Sequence, residues 1–223
     1  MTSVIISFRS LITLKGIDFP HNINVLYCDH NQLTSLKYCP TSVTDLYCDD
    51  NQLTSLEYCP ASVTELCCTL NQLTSLEYCP TTVTELNCFS NQLTSLEYCP
   101  ATVTKLDCSG NQLTSLEYCP ATVTKLNCDH NHLISLEYCP ISVTELSFFN
   151  NPLNTEYKNL SLAEIHQLNR NKEFKRGIYR ITKLYHNAMA KKIQKRWRHW
   201  WYDDLDENGI SRYCKFCLEK MNF

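Results

Sequence analysis

The sequence has 223 residues, of which 43% are hydrophobic, and a formal net charge of −3 at pH 7. Four Gly and eight Pro exclude a collagen-like chain and a Pro- and Gly-rich disordered one, and the hydrophobic fraction is enough to build a core. The charge is uneven, because residues 1–154 carry 5 Lys and Arg against 15 Asp and Glu, and residues 155–223 carry 15 against 8. We therefore expect an acidic body followed by a basic region.

The N-terminal segment, MTSVIISFRSLITLKG, has no basic stretch before a long apolar run, and the chain has no run of 18 apolar residues. These features predict neither a signal peptide nor a transmembrane helix, and hence a cytoplasmic protein whose Cys residues are mostly free thiols. Ile6 and Phe8 lie 20 residues before Leu26 and Cys28. This register predicts a degenerate first strand in an N-terminal cap over residues 1–22.

A 20-residue repeat fills the middle of the chain. Asn recurs at every twentieth position from 31 to 151, and each copy reads V-x-x-L-x-C-x-x-N-x-L, as in Val123, Leu126, Cys128, Asn131 and Leu133. The alternation of apolar residues predicts a short strand in which Leu126 and Cys128 point into the core. The Asn side chain is expected to bind backbone groups in the following turn. One coil cannot bury its own apolar face, so the coils must stack.

The repeat resembles the leucine-rich repeat, L-x-x-L-x-L-x-x-N-x-L, with Cys in place of the third Leu. The continuation NQLTSLEYCP resembles the short 20-residue class of secreted bacterial effectors, with Glu57 and Cys59 replacing a Pro and a Leu of that pattern. Cys-rich repeats followed by a Lys- and Trp-rich tail also resemble proteins of giant DNA viruses of amoebae. The resemblance covers residues 23–154 and implies a solenoid of about seven coils, with short parallel β-strands on the concave face and extended segments on the convex face.

Two cysteine columns, from Cys28 to Cys128 and from Cys39 to Cys139, are expected to be small buried hydrophobes. Phe148 takes the place of Cys in the last coil, as an apolar filler would and a metal ligand would not. The alternative is a metal or redox array. We predict no cofactor and no metal site.

Variation between the copies is concentrated at outward strand positions and just after them. The first two varied columns are Val25, Asp45, Glu65, Glu85, Lys105, Lys125, Glu145, and Tyr27, Tyr47, Cys67, Asn87, Asp107, Asn127, Ser147. The third and fourth are Asp29, Asp49, Thr69, Phe89, Ser109, Asp129, Phe149, and His30, Asp50, Leu70, Ser90, Gly110, His130, Asn150. Diversification on one side of an otherwise constant repeat predicts a ligand-binding surface; the alternative is that these surface positions tolerate any residue.

Aromatic side chains among acidic ones favour a basic, partly apolar protein surface as the partner, and the acidic character argues against nucleic acid. The candidate partner-binding residues are Tyr27, Asp29, Tyr47, Asp49, Asp50, Thr69, Asn87, Phe89, Asp107, Asn127, Asp129 and Phe149. A further column, from Tyr38 to Tyr138, is interpreted as an aromatic ladder that packs coil on coil.

The region after the repeats, residues 155–223, is predicted to be helical. Ser161 and Glu164 form a capping-box pattern, and Leu162, Ile165 and Leu168 can cover the last coil. Beyond them, an apolar stripe at spacings of three and four predicts a longer amphipathic helix with a basic side. The stripe is Ile178, Ile181, Tyr185, Met189, Ile193, Trp197 and Trp200.

This tail resembles the first half of a calmodulin-binding IQ motif, although Asp203 stands where the second half needs a basic residue. The candidate tail-binding residues are Ile193, Gln194, Trp197, Arg198, Trp200 and Trp201. They predict binding of a calmodulin-like protein or an anionic membrane; the alternative is a stripe that docks on the solenoid. Cys214 and Cys217 form a lone CxxC without a second pair, which does not predict zinc.

Taken in chain order, the predicted regions are the cap over 1–22, the solenoid over 23–154 and the basic helical region over 155–223. The predicted function is a non-enzymatic protein–protein interaction module that acts as a monomer through its concave face. The predicted location is the cytoplasm, and specifically the host cytoplasm if the protein is viral or an effector. A ubiquitin-ligase domain, as some bacterial effectors with similar repeats carry, is several times longer than the 69 residues that follow the repeats. A catalytic effector is therefore the less favoured interpretation.

Overall fold

The computed structural model describes the backbone of residues 2–197 and the side chains as far as residue 191. In this part of the chain, eight three-residue strands precede one helix. The strands are β1 (Ser3–Ile5), β2 (Val25–Tyr27), β3 (Asp45–Tyr47), β4 (Glu65–Cys67), β5 (Glu85–Asn87), β6 (Lys105–Asp107), β7 (Lys125–Asn127) and β8 (Glu145–Ser147), and the helix is α1 (Leu162–Trp197).

The strands form one parallel sheet in chain order, from β1 to β8. From β2 onwards each strand pairs with the next at an offset of 20 residues, as Leu106 does with Leu126. The equal length of the copies therefore sets the register, and the predicted solenoid of stacked coils is confirmed. The returning side of each coil is held by turns such as the hydrogen bond from Val43 N to Pro40 O (3.2 Å).

The first coil differs from the predicted register. Val4 pairs with Leu26, an offset of 22 residues, so the expected pairing of Ile6 with Leu26 is wrong by two positions. A shift of two residues keeps each side chain on its original side of the sheet, and Ile6 is still buried. Phe8 is 73% exposed instead of lying in the core, and its ring stacks on His30 at a centroid distance of 4.2 Å.

The core consists of the repeated apolar columns. Leu126 and Cys128 are 3% and 0% exposed, as the strand alternation predicts, and Leu133 and Leu136 are fully buried beneath the turn. The expectation that these positions support stacking is therefore confirmed.

The repeated Asn residues form a hydrogen-bond ladder. Asn91 Nδ2 donates to the carbonyls of Cys68, Cys88 and Phe89 at 3.0, 3.1 and 3.3 Å, and Asn91 Oδ1 accepts from Leu73 N at 2.9 Å. The side chain thus binds its own coil and the coil before it, and each repeat adds the same set. This arrangement confirms the predicted role of Asn in the turn.

The inner cysteine column explains why Cys replaces Leu at this position. The thiols of Cys48, Cys68, Cys88, Cys108 and Cys128 each lie 3.2–3.5 Å from a carbonyl oxygen of the next strand, to which they can donate. A Leu side chain would be larger and could not donate. All 13 cysteines in the described part of the chain are free, and no group of three or more His, Cys, Asp or Glu side chains there is placed to hold a metal ion.

The C-terminal end of the solenoid is covered by the start of α1. Ser161 and Glu164 form the predicted capping box, with Ser161 N donating to Glu164 Oε2 at 2.8 Å, and Ile165 is fully buried. Two further residues were not predicted. The buried Tyr157 donates its hydroxyl to Asn169 Oδ1 (3.2 Å), and Asn169 Nδ2 donates to Leu136 O (2.8 Å).

The chain divides into one compact unit over Met1–Arg170 and a second from Asn171 onwards. In the second unit, α1 continues without interruption to Trp197. The described side chains of its apolar stripe are exposed: Ile178 by 49%, Ile181 by 68%, Tyr185 by 59% and Met189 by 40%. The described part of the chain contains no helix with the length and apolar content needed to cross a membrane.

Candidate protein-binding face

The outward side chains of β2–β8 and of the residues that follow each strand form one continuous surface, here called the strand face. Successive residues of a strand point to opposite sides, so Leu126 enters the core while Lys125 and Asn127 face outward. Because the register is constant, each varied column runs straight across the sheet. The strand face therefore brings together residues that lie 20 positions apart in the sequence.

An open groove of about 610 Å³ runs along the strand face from β3 to β8. Four of the candidate residues line it: Tyr47, Asn87, Asp107 and Asn127. Outward residues that were not among the candidates line it as well: Glu65, Cys67, Glu85, Lys105, Lys125, Glu145 and Ser147. The signal for them was present in the sequence, since all seven belong to the first two varied columns.

The charge of the groove is predominantly acidic. Lys105 Nζ lies 2.5 Å from Glu85 Oε1, and Lys125 Nζ lies 2.6 Å from Glu145 Oε1, so each lysine is paired with a carboxylate of a neighbouring coil. Such exposed pairs contribute little to stability, but they neutralise the two cations. Among the described residues, the other two carboxylates of the groove, Glu65 and Asp107, have no cation partner within ion-pair distance.

Two stacked tyrosines stand at the N-terminal end of the groove. The rings of Tyr27 and Tyr47 are nearly parallel, with centroids 4.7 Å apart. Tyr47 Oη donates to Glu65 Oε1 at 2.6 Å, and this hydrogen bond, together with partial burial, raises the pKa of Tyr47. The phenol is thus held in one orientation, and the pair presents a rigid aromatic surface.

Aspartates of the third varied column make hydrogen bonds between coils. Asp49 Oδ1 accepts from Thr69 N and Oγ1 at 3.1 and 2.9 Å, and Asp129 accepts from Ser147 Oγ at 2.8 Å. Asp29 accepts from Ser7 Oγ at 2.6 Å in the same way. These carboxylates therefore stabilise the stack, which is a role that their variation between copies did not indicate.

The fourth varied column occupies a left-handed turn position. Its residues have φ between 48° and 61°: His30, Asp50, Leu70, Ser90, Gly110, His130 and Asn150. Gly, Asn and Asp adopt this conformation most readily, so part of the composition reflects the turn and not a ligand. Leu70 has the only apolar side chain in this column, and that side chain gains nothing from the conformation.

Leu70 is an exposed apolar residue whose backbone lies next to that of Phe89 in the following coil. It is 48% exposed, and its backbone N donates to the carbonyl of Phe89, which is 40% exposed, at 3.0 Å. A Cβ atom at Gly110 would lie 3.0 Å from the Phe89 ring, so the glycine allows that ring to lie across the next coil. Phe149, at the last coil, is 69% exposed.

The candidate tail residues are only partly described. Ile193, Gln194 and Trp197 lie in α1, whereas Arg198, Trp200 and Trp201 lie outside the described residues, as do Cys214 and Cys217. The IQ-like interpretation of this segment stays a prediction.

The fold is that of a leucine-rich repeat solenoid, with one short parallel strand from each coil. No protein-family model and no curated protein matches the chain. Among solved structures, the leucine-rich repeat domain of a Shigella effector superposes with a TM-score of 0.58 at 26% identity, covering 70% of this chain and 72% of that one.

Two other structures are similar to the solenoid. YopM from Yersinia enterocolitica matches with a TM-score of 0.53 at 28% identity over 69% of this chain and 38% of its own. The functional domain of InlJ from Listeria monocytogenes, described as including a cysteine ladder, matches with a TM-score of 0.53 at 27% identity over 74% of this chain and 42% of its own. The chain therefore spans less than half of these two structures.

Proposed function

We propose that this chain is a protein-interaction module that binds a partner protein on the strand face, the concave side of the solenoid. The observation that carries the proposal is the groove: its walls are the first two varied columns, while the residues beneath them hardly change from coil to coil. The similarity to leucine-rich repeat domains of bacterial effectors supports the same class of function.

The groove favours a partner with a basic and partly apolar surface. Its lysines are already paired with glutamates, so the negative charge of the remaining carboxylates, Glu65 and Asp107, attracts cationic side chains. Leu70 and Phe89 supply exposed apolar area on the strand face, and the partly buried Tyr27–Tyr47 pair adds the aromatic side chains that interaction hot spots favour.

The repeat allows a test in which every substitution uses a residue from the same position of another coil. E65K and E85K introduce the residue found at Lys105 and Lys125, and L70N and F89S introduce those found at Asn150 and Ser109. We expect the variant with all four substitutions to capture at least ten times less partner protein than wild type from an extract of the organism that encodes the chain. Capture is quantified by mass spectrometry, and circular dichroism should remain unchanged.

The matched control is A61T/T81A, a repeat-derived exchange at exposed positions outside the groove, which should capture the partner as wild type does. If the quadruple variant captures as much partner protein as this control does, binding on the strand face is refuted.

A second candidate function is suggested by the exposed stripe of α1 at Ile178, Ile181, Tyr185 and Met189. Such a helix, with the basic residues that follow, could recruit calmodulin or an anionic membrane. We rank it below the strand face because Asp203 interrupts the IQ pattern.

Titration calorimetry of the full chain with calcium-loaded calmodulin separates the two candidates. We expect a Kd no tighter than micromolar. A nanomolar Kd that the variant W197A/W200A/W201A abolishes would make the tail the main binding element. Localisation in the cytoplasm, a monomeric state and the absence of catalytic activity stay predictions.

A further inference from the structure

A row of six tyrosines runs along the solenoid outside the groove. The rings are exposed by 44–59%: Tyr38, Tyr58, Tyr78, Tyr98, Tyr118 and Tyr138. Among the described residues, stacked aromatic rings are found at Phe8–His30 and Tyr27–Tyr47 but not in this row. The interpretation of the row as an aromatic ladder that packs coil on coil is therefore wrong.

The backbone does not require tyrosine at these positions either. Tyr38, Tyr58, Tyr78 and Tyr98 have φ values of 75°, 68°, 69° and 88°. Gly or Asn adopts this left-handed conformation at lower cost than a bulky aromatic residue. A side chain that is repeated, half-exposed and, at four of the six positions, unfavourable for its own turn points to a use for the ring surface.

The chain itself shows what this ring surface accommodates. Lys37 Nζ lies 5.5 Å from the centroid of the Tyr38 ring and 5.9 Å from that of Tyr58, so one ammonium group contacts two consecutive rings. In later coils the position of Lys37 is taken by Glu57, Glu77, Glu97, Glu117 and Glu137. From Tyr58 onwards the residue before each tyrosine is therefore a glutamate, where the first coil has a lysine.

We propose that this tyrosine–glutamate row binds a Lys- or Arg-rich segment of another protein. The basic side chains lie over successive rings as Lys37 does, and the adjacent glutamates neutralise them. Because the row repeats at every coil, one extended segment engages several coils at once, and weak individual contacts add up. This surface is separate from the groove and does not depend on the function proposed for it.

The probe is an acetylated, amidated peptide of eight Arg–Ser repeats, labelled for fluorescence anisotropy and titrated with the full chain. We expect Y58N/Y78N/Y98N to weaken binding at least tenfold, while its melting temperature stays equal to that of wild type or rises, because Asn suits a positive φ. Y58F/Y78F/Y98F keeps the ring faces and should bind within twofold of wild type.

Control variants separate the row from the rest of the acidic surface. Q52A/Q72A/Q92A, at exposed residues of the same coils, should bind the peptide within twofold of wild type, whereas E57Q/E77Q/E97Q should weaken binding. The proposal would be overturned if Y58N/Y78N/Y98N bound the peptide as tightly as wild type does, or if its melting temperature were lower than that of wild type. Two results would show that the ligand is not a segment of another protein. One is that wild type binds spermine as tightly as it binds the peptide, and the other is that wild type self-associates and Y58N/Y78N/Y98N does not.

Discussion

The solenoid is expected to unfold as the pH rises from 9 to about 11, because its buried thiols cannot ionise while it is folded. Burial raises the pKa of every cysteine in the inner column, from Cys28 to Cys128, well above the ordinary value of 9.0. These groups contribute stability that is fully present below pH 9. It is lost at higher pH, because the unfolded chain releases protons that the folded chain retains.

The expected effect is large. Each such thiol lowers the free energy of unfolding by up to about 1.4 kcal/mol per pH unit above 9, so the six together give a slope of about 8 kcal/mol per unit. At that slope, a free energy of unfolding of about 5–15 kcal/mol falls to zero within about two pH units. Far-UV circular dichroism and urea denaturation between pH 7 and 11 measure it.

The control for the alkaline transition is C68A/C88A. This variant should be less stable at pH 7, because two buried groups are lost, but its slope above pH 9 should be shallower by about 3 kcal/mol per unit. If wild type and variant show the same slope, the titration of other groups causes the transition.

Removal of one rung of the Asn ladder is expected to destabilise the chain by about 3–5 kcal/mol. In N91A, the buried backbone N of Leu73 loses its acceptor, and the carbonyl of Cys68 keeps only the donor from Asn71. The carbonyl of Cys88 keeps the donor from Asn111. Urea denaturation at pH 7 gives the difference in the free energy of unfolding.

The adjacent exchange Q92A provides the control, since Gln92 is exposed and should change stability by less than about 0.5 kcal/mol. A loss below about 1 kcal/mol in N91A would mean that water or a local rearrangement satisfies the Leu73 N–H group, and that the ladder is not a major source of stability.

The repeat made most of the fold predictable. A constant period places Leu126, Cys128 and Asn131 in the same environment as their counterparts in every other coil, so one correct interpretation extends to the whole solenoid. The prediction failed where the period changes. The first coil is two residues longer than the rest, which shifted the register of Ile6, and the contacts of Tyr157 and Asn169 in the C-terminal cap occur only once.

The candidate site was less predictable, because variation alone does not separate binding residues from structural ones. Asp49 and Asp129 vary between copies, yet they hydrogen-bond to the neighbouring coil. Asp50 lies at a left-handed turn position that restricts its composition. Glu65 and Lys105 were left out although they line the groove, since the groove becomes visible only when the strands are stacked.

The strand face as a binding surface is tested most directly by site-specific photo-cross-linking. We would place p-benzoylphenylalanine at position 85 or 125 in the groove, or at position 112, an exposed residue outside it, and expose each chain to extract of the encoding organism. We expect positions 85 and 125 to cross-link one and the same protein, and position 112 not to cross-link it. Cross-linking of that protein from position 112 but from neither groove position would contradict this assignment.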